Sequence, residues 1–439
     1  MWEYAGYVIA LAAIIVWTLL LYGLHRRGLL EPRGLHPVGP LLMWRTVRGR
    51  ALIDRLAKPT RFWRIFGDVS IGIVGATMLA TTYLLVWQAT LVTSPAVREN
   101  APSPLLLLGI PGVNPLIPLW YGILGLAIAI VLHEFAHGIL ARVAKIRIRS
   151  IGAIFAVVPI GAFVEPDEDE MRALPRRQRV RLFAVGPATN VLLAVLFAFL
   201  FSTVMMTNVS PIHAGAGIVG FTPDSPAQAA GMEAYTIITE VNGTVINTYA
   251  DFRDAVAMVQ ANVTIPIVAF DGQGYTTYNV TPVWDASAGR PILGVYALDT
   301  TTDYYHPLSN PDRFGGIAGA VAVYVYLPFT ARMPIQEPFS NFYTITGPLA
   351  ALPPAVFWVI ANILYWIFWL SIMLGATNSL PAVPLDGGYM LKDGVEALVG
   401  RSRRDWGADR RDRIVRQVTY LVGFFILALI LWQVIGPRL

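Results

Sequence analysis

Long charge-free runs alternate along this chain with short, strongly basic stretches. Residues 4–24, 69–97, 182–206 and 417–437 contain no charged side chain, and a fifth charge-free run, 338–385, extends over 48 residues. About 20 apolar residues cross ~30 Å of hydrocarbon as a helix, so each run predicts one membrane span, and the longest leaves residues over. Segment 116–141 is apolar apart from His133, Glu134 and His137, which makes a sixth span. Segment 314–331 has 18 uncharged residues, at the threshold for crossing.

From about Asn208 to Asp312 the pattern changes. Apolar and polar residues alternate in Thr236-Ile-Ile-Thr-Glu-Val and in Ile265-Pro-Ile-Val-Ala-Phe, with turn signals at Asn242-Gly243 and Asp271-Gly272. This is the period of half-buried strands. Between them, Phe252, Val256 and Val259 recur at helical spacing over 251–260. A small α+β domain inserted between spans is expected here.

Composition and charge then orient the array. The chain has 439 residues, 55% hydrophobic and 14% charged, far below the usual charged quarter of a soluble domain. Loops 25–68, 142–181 and 386–416 carry ten, nine and eight Lys or Arg, together 27 of 33. Alternating spans put all three on one side, the cytoplasmic one by the positive-inside rule. The N-terminus and the inserted domain then lie outside, and no basic n-region suggests a cleaved leader. Segment 314–331 is expected to lie in the interface or re-enter unless part of Asn341–Ala351 crosses with it, because a lone crossing there would send loop 386–416 outside. The excess of positive charge is a topology signal and a contact for anionic lipid; nucleic acid is not expected as a partner.

The chemistry sits in Val131-Leu-His-Glu-Phe-Ala-His137. On a helix, His133 and His137 are one turn apart on one face, the spacing at which two imidazoles grip one Zn²⁺. Glu134 is offset and can serve as general base toward water. Two His and a Glu in an apolar span are costly to bury and demand a function. A catalytic zinc takes three protein ligands and keeps one position open. Cysteine is absent, and His25, His36, His213 and His306 fall outside the apolar cluster. Asp386 is the first charge after the 48-residue run; from spacing alone it is either the third ligand or part of an ordinary interfacial turn. His133 lies nine residues before Arg142, about 14 Å into the membrane at 1.5 Å per residue, so the centre lies toward the cytoplasmic side. After this helix, 146–158 and 160–164 read as an apolar β-hairpin suited to dip into the membrane within protein. Its exposed edge, with Gly161, Ala162 and Phe163, could take a substrate as an added strand.

His133-Glu-Phe-Ala-His-Gly138 together with Asn378, Pro381, Pro384 and Asp386-Gly387 resembles the site-2 protease family of intramembrane zinc metalloproteases. The resemblance implies His133, His137 and Asp386 as ligands of one Zn²⁺ and Glu134 as the base. Gly186-Pro-Ala-Thr-Asn190 is similar to the family's Gly-x-x-x-Asn element, which implies that Asn190 supports the site, as Asn378 does. Ala382-Val383 stands where an Ile-Pro pair is commoner, and the run Glu165-Pro-Asp-Glu-Asp-Glu170 is like the one that follows the family hairpin. Thr222-Pro-Asp-Ser-Pro-Ala-Gln-Ala-Ala-Gly231 with Ile237-Ile-Thr-Glu-Val-Asn-Gly243 resembles a PDZ domain, with Tyr235-Thr236 in place of a common Gly-Asp pair. The expected fold is therefore a polytopic α-helical membrane protein of about six spans. It has a three-span metalloprotease core, a re-entrant β-hairpin and an inserted extracytoplasmic α+β PDZ-like domain. Expected divisions are a two-span region with its basic loop at 1–97, the first half of the core at 98–206 and the PDZ-like domain at 207–312. A connector at 313–345, the second half of the core at 346–412 and a last span at 413–439 complete them. The function implied is a zinc endopeptidase of the cell membrane that cuts transmembrane segments of single-span proteins already shortened by an earlier cut. The PDZ-like domain would filter or bind their ectodomain ends. The competing readings are a non-catalytic PDZ scaffold or receptor and a zinc transporter; intact ligand and base positions disfavour the first, and polar residues confined to one depth the second.

Overall fold

The computed structural model describes residues 5–99, 103–107, 109–156, 158–286, 288–326, 335, 337, 339–403 and 405–438. Helix α1 (Ala5–Arg26) leads into strands β1 (Leu35–Val38) and β2 (Leu41–Thr46), then helices α2 (Arg50–Leu56), α3 (Thr60–Leu91) and α4 (Pro95–Glu99). Helix α5 (Leu119–Val143) is followed by β3 (Ile148–Ala156), β4 (Val158–Pro166), α6 (Glu168–Arg172) and α7 (Arg176–Phe199). Next come β5 (Val209–Pro211), β6 (Ala216–Phe221), α8 (Pro226–Ala229), β7 (Ile237–Val241), β8 (Thr244–Val245) and α9 (Tyr249–Met258). Strands β9 (Ile265–Phe270), β10 (Tyr275–Val280), β11 (Val283–Asp285), β12 (Arg290–Ile292) and β13 (Val295–Asp299) precede α10 (Ile317–Tyr326) and β14 (Tyr343–Ile345). Helices α11 (Pro354–Asn378), α12 (Asp386–Ser402) and α13 (Ala408–Ile435) finish the chain. Two compact units result: Met1–Val195 with Ile367–Leu439, and Leu196–Trp366.

Among the described residues, five helical stretches are long and apolar enough to cross a membrane: Thr60–Leu91, Leu119–Val143, Arg176–Asn208, Pro354–Asn378 and Ala408–Arg438. They overlap five of the six expected spans; at the first, the described apolar stretch is Ile14–Arg26. Side chains such as Leu79 and Phe424, each 73% exposed, turn outward from α3 and α13, as lipid-facing residues do and water-facing ones rarely do in such number. In the 314–331 segment, helix α10 has ten residues, about 15 Å at 1.5 Å per residue and half of what a crossing needs; residues 327–334 lie outside the described residues.

In the first unit the expected hairpin is the pair β3–β4, but it does not stand alone. Strands β1 and β2 extend it into an antiparallel sheet ordered β1-β2-β3-β4, with Leu42 opposite Phe155 and Thr46 opposite Ile151. Strand β2 thus covers the β3 edge of the hairpin, and β4, which carries Gly161, Ala162 and Phe163, remains an edge strand as expected. The sheet packs on α5 through a buried cluster that includes Ile53, Ile139, Leu140, Val164, Leu182 and Val185. Gly138 permits that approach: a Cβ there would lie 3.0 Å from Ile53 Cδ1 and 3.1 Å from Val164 Cγ1.

Charged residues at the basic ends of the helices tie this unit together. Arg181 Nε donates to Asp68 at 2.7 Å, joining α7 to α3. Arg179 Nε donates to both carboxylate oxygens of Asp393 at 3.2 Å, and Arg179 also reaches Glu396, so α7 holds α12. Asp393 is 4% exposed, and an ion pair so buried leaves a costly lone charge if one partner goes.

The second unit carries the inserted α+β domain. Its antiparallel sheet is ordered β10-β9-β7-β6-β13, with β8 on β7. The alternation read in 265–270 appears as buried Ile265, Ile267 and Ala269. Phe252 and Val256 of α9 close over the same core, and Thr248 with Asp251 forms a capping box at the helix start. Backbone donors at Asn247 and Thr248 hold the Asp251 carboxyl below the usual carboxylate range. Asn242 and Gly243, at φ 48° and 82°, make the expected turn between β7 and β8. Tyr235, which replaces the common Gly, sits at φ 68°, a left-handed conformation that a bulky side chain seldom adopts.

Substituting Asp393→Ala removes the buried partner of Arg179, leaves it the half-exposed Glu396 alone and loosens α12 on α7; a stability loss of roughly 3 kcal/mol is expected. Thermal unfolding in detergent, followed by tryptophan fluorescence, measures it. A variant as stable as the parent would mean that this pair does not hold α12.

Candidate metal centre

Helix α5 places His133 and His137 on one face, with their Nε2 atoms 3.1 Å apart. Asp386 Oδ2 lies 3.2 Å from His133 Nε2 and 3.3 Å from His137 Nε2. These three ligand atoms form a near-equilateral triangle. Zinc bound at 2.0–2.1 Å in a tetrahedron separates its ligands by about 3.3 Å, so the triangle is one face of a zinc tetrahedron. The three ligands line a cavity of about 290 Å³ together with, among others, Glu134, Val164, Phe183, Asn378 and Pro384.

Glycines make room for this. A Cβ at Gly186 of α7 would fall 2.3 Å from His137 Nε2 and 2.7 Å from His133 Nε2, against the very nitrogens that face the metal. Asp386 is the first residue of α12, after a loop that doubles back from the end of α11. A Cβ at Gly387 would meet Ser379 O at 2.1 Å, and one at Gly388 would meet Ala382 C at 2.3 Å. Only glycine allows the loop to lie on the helix start and hold the carboxylate at the imidazoles.

The other imidazole nitrogens are partnered. His137 Nδ1 is 2.7 Å from Leu182 O; a backbone acceptor there puts the proton on Nδ1 and leaves the Nε2 lone pair for metal. His133 Nδ1 lies 3.0 Å from the carboxamide Nδ2 of Asn190, a residue with no exposure to solvent. Asn190 Oδ1 is buried with no hydrogen-bond partner. Binding zinc at His133 Nε2 puts the proton on Nδ1, which then needs an acceptor. A half-turn of the carboxamide supplies Oδ1 and pairs the orphaned oxygen. The donor set and its surroundings therefore fit a single zinc ion.

Glu134 does not join the triangle. Its Oε2 accepts from Val164 N at 3.2 Å, on β4. That bond shows which way β4 faces: the Val164 amide points away from β3, so with a period of two Ala162 also presents its N–H and C=O to the free edge. Gly161 and Phe163 turn their backbone groups toward β3. Of the three residues expected to meet substrate, the edge geometry favours Ala162.

The structure thus brings together His133, His137 and Asp386, with Glu134 in the same cavity, Asn190 behind His133 and Asn378 in the wall. Gly161, Ala162 and Phe163 lie on the strand that leads to Val164 and are not part of the cavity lining. Sequence reasoning missed Leu182 and Val164, which act through backbone atoms that any residue carries. It also missed the stack of Phe183 on Tyr389, with ring centroids 4.9 Å apart, and gave Gly186 no role. A signal for Gly186 existed, since glycine inside a helix costs about 1 kcal/mol relative to alanine and needs a reason.

Gly186→Ala should purify as a folded protein with its zinc content reduced at least tenfold, measured by elemental analysis. Full zinc occupancy in that variant would contradict the placement of the ion between His133 and His137.

The family model described as peptidase family M50 matches residues 121–430 of the chain. The protein MJ0971 of Methanocaldococcus jannaschii is 25% identical over 439 residues, covering 98% of this chain and 96% of its own. Zinc metalloprotease RasP of Oceanobacillus iheyensis is 23% identical over 269 residues, covering 58% of this chain and 59% of its own. Among solved structures, the PDZ domain of an SdrC-like protein from Listeria monocytogenes is 20% identical, with a TM-score of 0.18, and covers 21% of this chain and 95% of that one. The family match takes in both halves of the ligand triangle and well over half of the chain: this protein belongs to peptidase family M50 and is a membrane zinc metalloprotease.

Proposed function

We propose that this protease cuts peptide bonds inside transmembrane segments, releasing fragments on the cytoplasmic side of the membrane. The observation that carries the reading is the bond between Glu134 and Val164. It ties Glu134, the base in this reading, to the free edge of β4 beside the ligand triangle. A transmembrane helix hides its amides in internal hydrogen bonds and must unwind before it is cut. The unwound strand then needs new partners, and an open sheet edge offers them. Pairing with Ala162 would set a substrate peptide beside Glu134.

Zinc, when bound, supplies Lewis acidity toward water and the scissile carbonyl. Glu134 takes the proton from the attacking water and passes it to the leaving amine. Asn190 and Leu182 keep the two imidazoles aimed at the ion. The basic loops support an orientation with the centre toward the cytoplasm and with the N-terminus and the 207–312 domain outside. In that arrangement β3–β4 re-enters the membrane. Substrates would be single-span proteins whose ectodomains an earlier cut has shortened, and the PDZ-like domain would exclude bulky ectodomains or bind the new ends. This is regulated intramembrane proteolysis.

With a model transmembrane substrate in detergent, Glu134→Gln should keep its zinc and lose cleavage by about 10²–10⁴-fold, the range for a positioned base. Normal turnover by that variant would sink the mechanism. Ala162→Pro removes one edge N–H and leaves the β3 ladder paired. It should lower kcat/KM on the transmembrane substrate while zinc content stays the same; unchanged kcat/KM would rule out strand addition at β4.

A further inference from the structure

Away from the metal, two clefts of the first unit abut on the β1–β2 side of the sheet. One, of about 770 Å³, is lined by Arg33, Arg45, Arg48 and Arg149 with the single carboxylate Glu165. The other, of about 370 Å³, is lined almost wholly by apolar groups, including Trp17, Leu35, Leu42 and Phe155. Arg33 and Trp44 line both. We infer that this double cleft binds one anionic phospholipid, its phosphate among the arginines and an acyl chain between Trp17 and Phe155.

Three observations support an amphiphile as the occupant. The charge balance is positive: Glu165 is shared by Arg45 and Ser150, Arg149 is paired with Asp167, and the Arg48 side chain has no partner among the described residues. Polarity also changes along one direction in both walls. On β2 and β3 the basic end lies at Thr46 and Arg149, and the apolar end at Leu42 opposite Phe155. On α1, Trp17 is nine residues before Arg26, about 14 Å along the axis. In the proposed orientation both walls therefore run from the cytoplasmic interface into hydrocarbon, as a lipid does. Arg33 lines both clefts, the position a snorkelling side chain takes between an apolar and a charged region. A free phosphate would use the first cleft and leave the second without purpose. The orientation argument rests on the proposed topology; the juxtaposed clefts do not. A lipid here would brace β2 and β3 and so steady the sheet whose other edge, β4, faces Glu134.

Native mass spectrometry of the full-length, zinc-loaded protein in detergent tests this without proteolysis. With palmitoyl-oleoyl phosphatidylglycerol, one bound molecule is expected, retained at least tenfold better than phosphatidylcholine. Arg33→Gln and Arg48→Gln should each weaken it about fivefold, the effect of one basic residue near an anionic lipid. Trp44→Ala should weaken it too, with unchanged zinc content showing that each variant is folded. Equal retention of the two lipids, or phosphatidylglycerol binding indifferent to both arginine substitutions, would overturn the proposal. So would full competition by inorganic phosphate with Trp44→Ala silent, since that describes an anion site only. Glu134→Gln protein should bind the lipid normally. If that variant still cleaved substrate, the protease mechanism would fail and the lipid site would stand.

Discussion

Three atoms within about 3 Å of one another, two imidazole nitrogens and one carboxylate oxygen, set the terms for everything around them. They come from α5 and from the start of α12, about 250 residues later in the chain. Holding them together in an apolar surrounding is costly without a cation, because a carboxylate removed from water needs a compensating charge. Zinc is that charge, and the structure is arranged for it at several levels. Gly186 keeps the space clear, Gly387 and Gly388 let the loop fold onto α12, and Leu182 and Asn190 orient the rings. The Arg179–Asp393 pair fixes α12 on α7, the helix that also carries Asn190, so a buried ion pair two turns along α12 from Asp386 bears on ligand position.

The sheet is built with a different economy. Strands β1 and β2 close one side of the hairpin, which removes an exposed edge that would otherwise invite unwanted pairing. Of the hairpin's two edges, the one next to Glu134 stays open, and β1 becomes the sheet's other edge strand. Strand β4 packs on α5 and gives its Val164 amide to Glu134; in the proposed topology this is how backbone that is neither helix nor closed barrel is kept buried at membrane depth.

Much of this was legible in the residues, for physical reasons that differ from part to part. The spans follow from uncharged length, and the helical pair His133–His137 from a four-residue spacing that only a helix brings to one face. Asp386 was less determined: its spacing allowed an ordinary turn, and only the resemblance of two motifs in order pointed to the metal. In the 207–312 region, strict alternation at Ile265–Phe270 located a strand at its true ends. The β1–β2 hairpin was not anticipated, because Leu-Leu-Met-Trp-Arg-Thr does not alternate and its arginine read as part of a basic loop. Register, too, was out of reach. Which of Gly161, Ala162 and Phe163 turns its backbone to the free edge depends on a single hydrogen bond from Val164, and no side-chain pattern encodes it.

X-ray absorption at the zinc edge of the purified protein tests the central claim most directly, since it reads the ion's own neighbours. The account predicts one zinc per chain with two imidazole nitrogens and carboxylate and water oxygens at about 2.0–2.1 Å in a four-coordinate shell. Replacing Asp386 by alanine should remove one oxygen ligand or the ion itself. A zinc shell with fewer than two imidazoles, or one unchanged in the Asp386→Ala protein, would contradict it.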